Sequence, residues 1–434
     1  MSKKVSVFWF RRDLRLDDNV GFYNALSGNH PVLPIFIFDS EILDKLPKDD
    51  ARVSFIHQTL QKMRERLLEN GSSLALYFGK PLEVFKDISE AYELQSVYTN
   101  HDYEPYARER DETVSDYLSE QNIGFKTFKD QVIYEKSEVV KDDGDPYVVY
   151  TPYMKKWKER FQSEGPLKEF SNKSLLKNLI QTKQLPNLSL ADIKFEAPKI
   201  TVPPYDDSRG MVQDYEKTRN FPSKQGTSRL GPYLRFGLVS IRKVMATAIN
   251  EKNEVFWNQL IWREFFMQIL WHFPRTANEA FKPKYDRIDW RNNEEEFSKW
   301  MEGKTGYPLV DAGMRQLNTT GYMHNRVRML TASFLSKHLL IDWRWGEAYF
   351  AEKLLDYEMA SNVGSWQWAA GTGVDAAPYF RIFNPSTQLD KFDKDRSYTH
   401  KYIPELETDD YPKPIVDHKE ARERCLKTYK EALD

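Results

Sequence analysis

Two stretches of this 434-residue chain carry positive charge with no acidic residue among them. Lys217 to Asn250 holds Lys217, Arg219, Lys224, Arg229, Arg235, Arg242 and Lys243, and Asn318 to Ile341 holds His324, Arg326, Arg328 and Lys337. Local positive potential of this kind is what phosphate binding requires. A solvated helical face would explain either stretch alone. The pair, interleaved with tryptophans, points equally to a nucleotide or nucleic-acid site. Nine of the 11 tryptophans lie between Trp257 and Trp368, which makes either a helical core packed with large rings or a stacking and electron-transferring surface. Within the first stretch, Gly226 to Gly231 offers backbone donors, the hydroxyls of Thr227 and Ser228 and the cation of Arg229. That set suits a pyrophosphate at a helix N-terminus or, more plainly, a Thr or Ser cap. Gly371 to Ala376 matches the loose pattern GxGxxA but follows Trp366-Gln367-Trp368 rather than a strand-like run, so it reads as a loop. Metalloprotease, Walker and EF-hand spacings do not occur, and the single cysteine, Cys425, matches no zinc spacing, so no metal site is expected.

The elements that must position these residues fall into two grammars. From Val5 to Phe128, short β-rich runs alternate with amphipathic stretches: Val5 to Phe10, Val32 to Phe38, Leu74 to Phe78, Ser96 to Thr99 and Gly124 to Phe128 read as strands. Between them, Ala51 to Glu69 places Val53, Ile56, Leu60, Met63 and Leu67 at helical spacing. This alternation predicts a parallel α/β sheet with ligands favoured at the carboxyl ends of its strands, and Asp39 and Glu104-Pro105-Tyr106 fall at that mouth. From Asp130 to Tyr205 periodicity fades, and the prolines from Pro186 to Pro204 read as a long surface connection. Beyond it the pattern turns helical. The expected organisation is an α/β domain over 1–130, a linker over 131–205 and an all-α domain over 206–434. Basic and acidic side chains number 63 and 65, so bulk charge gives no sign of a polyanion partner. One cysteine indicates a reducing compartment, most simply the cytoplasm. The apolar run within Met1 to Arg12 is too short for a signal peptide, and no stretch approaches the roughly 18 apolar residues of a membrane span.

The motifs add up to more than their parts. The sequence resembles the photolyase/cryptochrome family, and most of all its bacterial branch that repairs cyclobutane pyrimidine dimers in DNA. The resemblance runs nearly end to end and is densest at Phe8 to Arg15, Gly226 to Leu230, Trp262 to Phe265, Gly303 to Pro308, Met323 to Arg326, Asp342 to Arg344, Gly364 to Trp368 and Ala377 to Pro385. It implies a Rossmann-like α/β antenna domain and an all-α domain that holds FAD in a folded shape. It implies FAD contacts at Tyr215, Thr227, Ser228, Arg229, Leu230 and Gly231, a flavin-ring segment at Asp356, Tyr357 and Glu358, and an ion pair of Arg328 with Asp356. Asn362 matches the position facing flavin N5, where a neutral amide serves an anionic reduced ring. Trp366, Trp343 and Trp290 match the chain that carries an electron from the surface during photoreduction. The resemblance places Gln259, Trp262, Asn325, Met329 and Trp368 around the lesion, with Arg219, Arg263, Arg326 and Gln388 near the DNA strand. The implied mechanism is electron transfer from excited reduced flavin to a flipped-out dimer, whose ring opens before the electron returns.

Departures from the family pattern refine these expectations. Gln259 stands where bacterial enzymes usually carry Glu, keeping hydrogen-bonding capacity but losing charge. Gly231 replaces a usual Ser, Glu358 a usual Asp, and Phe256 and Tyr322 stand where Trp is common. Asn325 and Met329 occupy the positions of two histidines in the (6-4) repair branch, which disfavours acid–base chemistry on that lesion. Tyr106 and Ala107 replace the Asn and Glu of folate-binding members, which argues against a folate antenna and leaves a deazaflavin, a second flavin or an empty pocket. A cryptochrome that signals without repairing is the rival reading. The kept lesion residues, and the roughly 45 residues after Asn384-Pro385, too few for a long disordered signalling tail, favour the enzyme. A monomer is expected, since no coiled-coil or apolar interface pattern appears.

Overall fold

The computed structural model describes residues 4–434, so the start of the Met1 to Arg12 stretch lies outside the described residues. The chain forms two compact units. The first comprises residues 4–135, Glu164–Pro204 and Leu230–Thr247, and the second Lys136–Ser163, Tyr205–Arg229 and Ala248–Asp434.

In the first unit, β1 (Lys4–Phe10), β2 (Val32–Asp39), β3 (Ala75–Gly79), β4 (Glu93–Asn100) and β5 (Gly124–Phe128) form one parallel sheet in the order β3-β2-β1-β4-β5. Side chains of β1 alternate between two cores. Val5, Val7 and Trp9 enter one, and Phe8 and Phe10 the other. Both faces are therefore covered, as crossover helices dictate for a parallel sheet. The strand order reverses beside β1, where such sheets open their ligand crevice. Here the crevice end is filled by groups that satisfy one another. The Arg11 guanidinium donates to Asp111 and to the Asn100 carbonyl. Arg12 meets Asp102 at 3.0 Å and Glu104 at 3.1 Å, and Tyr106 donates to Asp39 at 2.6 Å. Arg11 and Arg110 each lie 4.9 Å from the ring of Trp9.

The acid-free stretch from Lys217 does not act as one patch, because sequence neighbours are not spatial neighbours. Its later part returns to the α/β unit, where Arg235 pairs with Glu104, Lys243 with Asp17, and Arg242 with Asp18 and Asp130. Arg15 reaches the same Asp130 at 2.7 Å. Burial raises the Asp130 pKa, but the two guanidiniums more than offset it and hold the carboxyl below its ordinary range.

The second unit is helical. Within the stretch of fading periodicity lies the helix Tyr150–Glu164. The helix Glu254–His272 is apolar on nearly every side and buries nine residues, as a central helix must. Two close helix crossings depend on glycine. A Cβ on Gly346 would strike the Trp366 ring, and one on Gly364 the Phe266 ring. These approaches bring the helices Trp343–Lys353, Met359–Ala370 and Glu254–His272 together around a cavity. Trp300, Trp343 and Trp366 share the main apolar core, with Trp290 packed against it. Among the described residues, no helix is long and apolar enough to cross a membrane.

Candidate active site

The helical unit encloses a cavity of about 430 Å³, within the range of roughly 300–1,000 Å³ typical of ligand sites. One part of its wall comes from Arg328, Asp356, Tyr357, Glu358, Asn362 and Trp366, and another from Arg219, Gln259, Trp262, Arg263, Asn325, Met329 and Trp368. The residues expected around a flavin ring and those expected around a lesion thus line one space.

Arg328 projects from the helix Asn325–Ser333 and grips Asp356 through two parallel bonds, 3.1 and 2.8 Å, while its Nε donates to the Met323 carbonyl at 2.7 Å. Burial opposes the Arg328 charge, but the carboxylate outweighs it and the guanidinium pKa rises. Glu358 caps the helix Met359–Ala370, accepting from Ser361 N at 3.0 Å and Ser361 Oγ at 2.7 Å. A carboxylate there also complements the positive end of the helix dipole. One turn on, Asn362 is buried, and its amide donates to Glu347 Oε1 at 2.8 Å and to the Glu347 carbonyl at 3.2 Å. Burial pushes the Glu347 carboxyl up. Its N–H groups are thus engaged by Glu347, and the residue lines the cavity.

On the other part of the wall, Gln259 donates to the Val255 carbonyl of its own helix at 3.3 Å, and Trp262 stacks on Tyr150 with ring centroids 3.6 Å apart. Asn325 and Met329 sit one turn apart, 3.9 Å from Nδ2 to Sδ. His324 caps their helix through the Arg326 N–H. Burial first, then Arg328 and Arg326, lower its pKa to about 4, so the imidazole is neutral near pH 7.

Other expected residues lie outside the cavity lining. Tyr215 meets Phe256 edge-on at 5.1 Å, with Arg219 5.4 Å above its ring. Thr227 shares a 3.3 Å hydrogen bond with Tyr322, over whose ring lie the guanidiniums of Arg229 and Arg328. The Ser228 carbonyl accepts from Asp206, and Arg229 adopts φ +54°. Leu230 and Gly231 open the short helix Gly231–Arg235. Arg326 donates to Asn220 at 2.6 Å and covers Phe392 at 4.5 Å, while Gln388 is half-buried on the helix Pro385–Phe392. Trp343 is buried beneath the Arg344 guanidinium, and half-buried Trp290 meets Tyr429 at 6.0 Å. Sequence reasoning missed Glu347, Phe266 and Ser361, and also Trp300, whose ring lies 6.1 Å from Trp366. Ser365 lies three residues after Asn362, and Ser361 four before Ser365, so both could have been found from helical spacing. Glu347 carried no such signal, since its pairing crosses between two helices. Among the described residues, no group of three or more His, Cys, Asp or Glu is placed to hold a metal ion.

The sequence matches two family profiles, "DNA photolyase" over residues 6–172 and "FAD binding domain of DNA photolyase" over residues 256–409. It is similar to the deoxyribodipyrimidine photo-lyase of Halobacterium salinarum, 36% identical and covering 99% of both chains. Among solved structures it is similar to a bacterial class III photolyase from Agrobacterium tumefaciens, with a TM-score of 0.89, 34% identity and coverage of 100% of this chain and 98% of the other. It is also similar to an archaeal photolyase from Sulfolobus tokodaii solved with two FAD molecules, with a TM-score of 0.83, 33% identity and coverage of 98% and 100%.

Proposed function

Because the chain belongs to the DNA photolyase family, we propose that its cavity receives FAD together with one flipped-out pyrimidine dimer, and that the protein repairs such dimers in DNA under blue light. The observation that carries this reading is the shared space: the Arg328–Asp356 pair and Asn362 line the same cavity as Gln259, Trp262, Met329 and Trp368. The residues suit the cofactor. Asn362 offers a neutral carbonyl to a ring N–H, Arg328 a half-buried cation beside an anionic ring, and Thr227 to Gly231 the hydroxyl, backbone and cationic partners of a pyrophosphate. Reduced FAD, when bound, supplies the photoexcited electron that opens the cyclobutane ring and takes it back afterwards.

The chain's own contribution is to bind, orient and exclude water. A dimer stacks and pairs poorly, so extruding it costs less than extruding an intact pair. The indoles of Trp262 and Trp368 offer faces for the extruded rings, and Arg219, Arg263 and Arg326 supply positive potential for the strand that carries them. Neither Asn325 nor Met329 has a proton to give or take at neutral pH, which suits a ring opening that needs an electron rather than an acid. Trp366, Trp343 and Trp290 deliver the electron that keeps the cofactor reduced. At the sheet mouth Tyr106 is engaged by Asp39, which argues against a folate antenna there. The protein acts as a monomer in the cytoplasm, where its buried Cys425 stays reduced.

The test is direct. Photoreduced protein is mixed with an oligonucleotide carrying one thymine dimer, illuminated with blue light, and thymine absorbance is followed against a dark control. Light-dependent recovery is the expected result. No recovery from a protein whose flavin photoreduces normally would overturn the repair reading in favour of a photoreceptor.

A further inference from the structure

Tyr150 opens the helix Tyr150–Glu164 and belongs to no motif discussed so far, yet three contacts tie it to the cavity walls. Its ring lies parallel to Trp262, with centroids 3.6 Å apart and planes 9° from coplanar. Its hydroxyl donates to the Asn258 carbonyl at 2.9 Å, one turn before Trp262 on the same helix. Its backbone N–H donates to Asp375 Oδ2 at 3.3 Å, in the loop that follows the helix carrying Trp368. Tyr150 is only 7% exposed, whereas Trp262 remains half-buried at the cavity wall. Tyr150 is not among the residues around the cavity, so it covers the face of Trp262 that the cavity does not use. Phe265 meets the same indole edge-on at 5.6 Å. Burial raises the Tyr150 pKa well above its ordinary value, so the hydroxyl remains a donor throughout the neutral range.

We propose that Tyr150 is a positioning residue for the dimer pocket, a strut that fixes the Trp262 ring and ties its helix to the loop after Trp368 before DNA arrives. The proposal rests on the reading that Trp262 faces the dimer. Its logic is preorganisation. An indole already pinned on one face needs no ordering when a base stacks on the other, so the strut acts on binding and leaves electron transfer alone. Asp375 supports it from a left-handed backbone position, φ +44°, which Asp tolerates better than most residues.

The experiment measures dark binding of FAD-loaded protein to a duplex carrying one thymine dimer and to the same duplex undamaged. FAD content, photoreduction rate and single-turnover repair at saturating substrate are recorded alongside. Tyr150→Ala is expected to weaken dimer binding about tenfold, the worth of a stacked aromatic pair, while the other readouts stay within about twofold of the parent. Tyr150→Phe keeps the stack and should restore most of the affinity. Tyr150→Ala combined with Trp262→Ala should bind no worse than Trp262→Ala alone, because the strut acts only through that ring. Unchanged dimer binding by Tyr150→Ala, or losses that simply add in the double variant, would overturn the proposal. If Tyr150→Ala does not fold, Tyr150→Leu and Tyr150→Phe decide it: equal affinities sink the idea, and a loss confined to Leu supports it. A parent protein that binds both duplexes equally would instead show that the repair reading itself is wrong.

Discussion

In the α/β unit, Asp130 accepts from Arg15 and Arg242 while Arg242 also reaches Asp18, and all four side chains are at least nine-tenths buried. In the helical unit, the Arg328–Asp356 pair is a quarter or less exposed and forms part of a cavity wall. Both are bidentate or networked arginine–carboxylate contacts of the kind that hold geometry well. The first is saturated by its own members together with Val20, Ser240, Phe170 and Gly237, whereas the second forms part of a cavity wall. A saturated network fixes a fold. A pair with an open side can also take a ligand. The α/β crevice where topology alone would place a ligand is filled by Arg11, Asn100 and their partners, and the ligand-sized space lies instead where aromatic walls and partly used polar groups meet.

The comparison breaks most violently at Asp130. Asp130→Ala leaves Arg15 with carbonyl partners alone and Arg242 with Asp18 as its one carboxylate, and removing one member of a buried charge cluster costs about 3–5 kcal/mol. Urea unfolding of the FAD-loaded variant should show that loss, with the flavin spectrum of the folded fraction unchanged. A loss below about 1 kcal/mol would mean the cluster is no more than a surface pair in effect.

The matching change in the helical unit should move the ligand rather than the fold. Arg328→Met preserves length and apolar packing but removes the cation beside the cavity and orphans Asp356. A charged hydrogen-bonded contact is worth about 1.5–3 kcal/mol, which corresponds to roughly 10- to 150-fold in FAD affinity. Flavin absorbance retained after dialysis reads it. Full FAD retention would show that the pair belongs with the α/β cluster as a structural device.

Acid sharpens the contrast from another side, because the helical unit buries neutral histidines. His338, 1% exposed in the turn Phe334–His338, has its pKa lowered to about 3, by burial first and then by His418, and His324 has its pKa lowered to about 4. In the unfolded chain both take up a proton near the ordinary value of about 6.5. Below that value the unfolded state therefore binds more protons, and stability falls with pH by up to about 1.4 kcal/mol per unit for each histidine until its folded pKa is reached. Urea titrations between pH 6.5 and 5 should show a smaller pH slope for His324→Gln than for the parent. Identical slopes would mean that His324 is solvated in the native state.

Much of this contrast was legible in the residues, and the reasons divide cleanly. The five strands follow from short β-rich runs, and in β1 and β2 these are nearly continuous because both faces of the strand are buried. The cavity residues on one helix, Gln259, Trp262 and Arg263, were named from the family resemblance, and their i, i+3 and i+4 spacing agrees with the shared wall they form. The Arg328–Asp356 contact was named from family resemblance, as no local pattern links residues in separate elements. What stayed hidden depends on contacts between elements: Glu347 behind Asn362, Tyr150 behind Trp262, and the return of Arg235 and Arg242 to the acids of the α/β unit. A run of bases in sequence says nothing about which carboxylates the fold will bring to meet it, so the acid-free stretch looked like a single patch and is two.

The smallest expected effect concerns the one cavity residue whose charge could be restored. Gln259 donates to the Val255 carbonyl, a bond that a carboxylate cannot make, so a Glu at this position would turn towards the cavity or towards Arg263, four residues on. A Glu four residues before Arg stabilises a helix by about 0.3–0.5 kcal/mol, so Gln259→Glu should melt no lower than the parent. It would also place an ionisable carboxyl, able to hydrogen-bond in either protonation state, on the cavity wall proposed to receive the dimer. The yield of repair per absorbed photon should therefore match or exceed the parent, while dimer affinity at low salt falls slightly because a negative charge has joined a surface that attracts phosphate. Repair yield and salt-dependent binding, measured on the same preparation, separate the two effects. A clear drop in yield at saturating DNA would show that the neutral amide is the better partner in this cavity, and that its wall was tuned away from charge while the α/β unit was built from it.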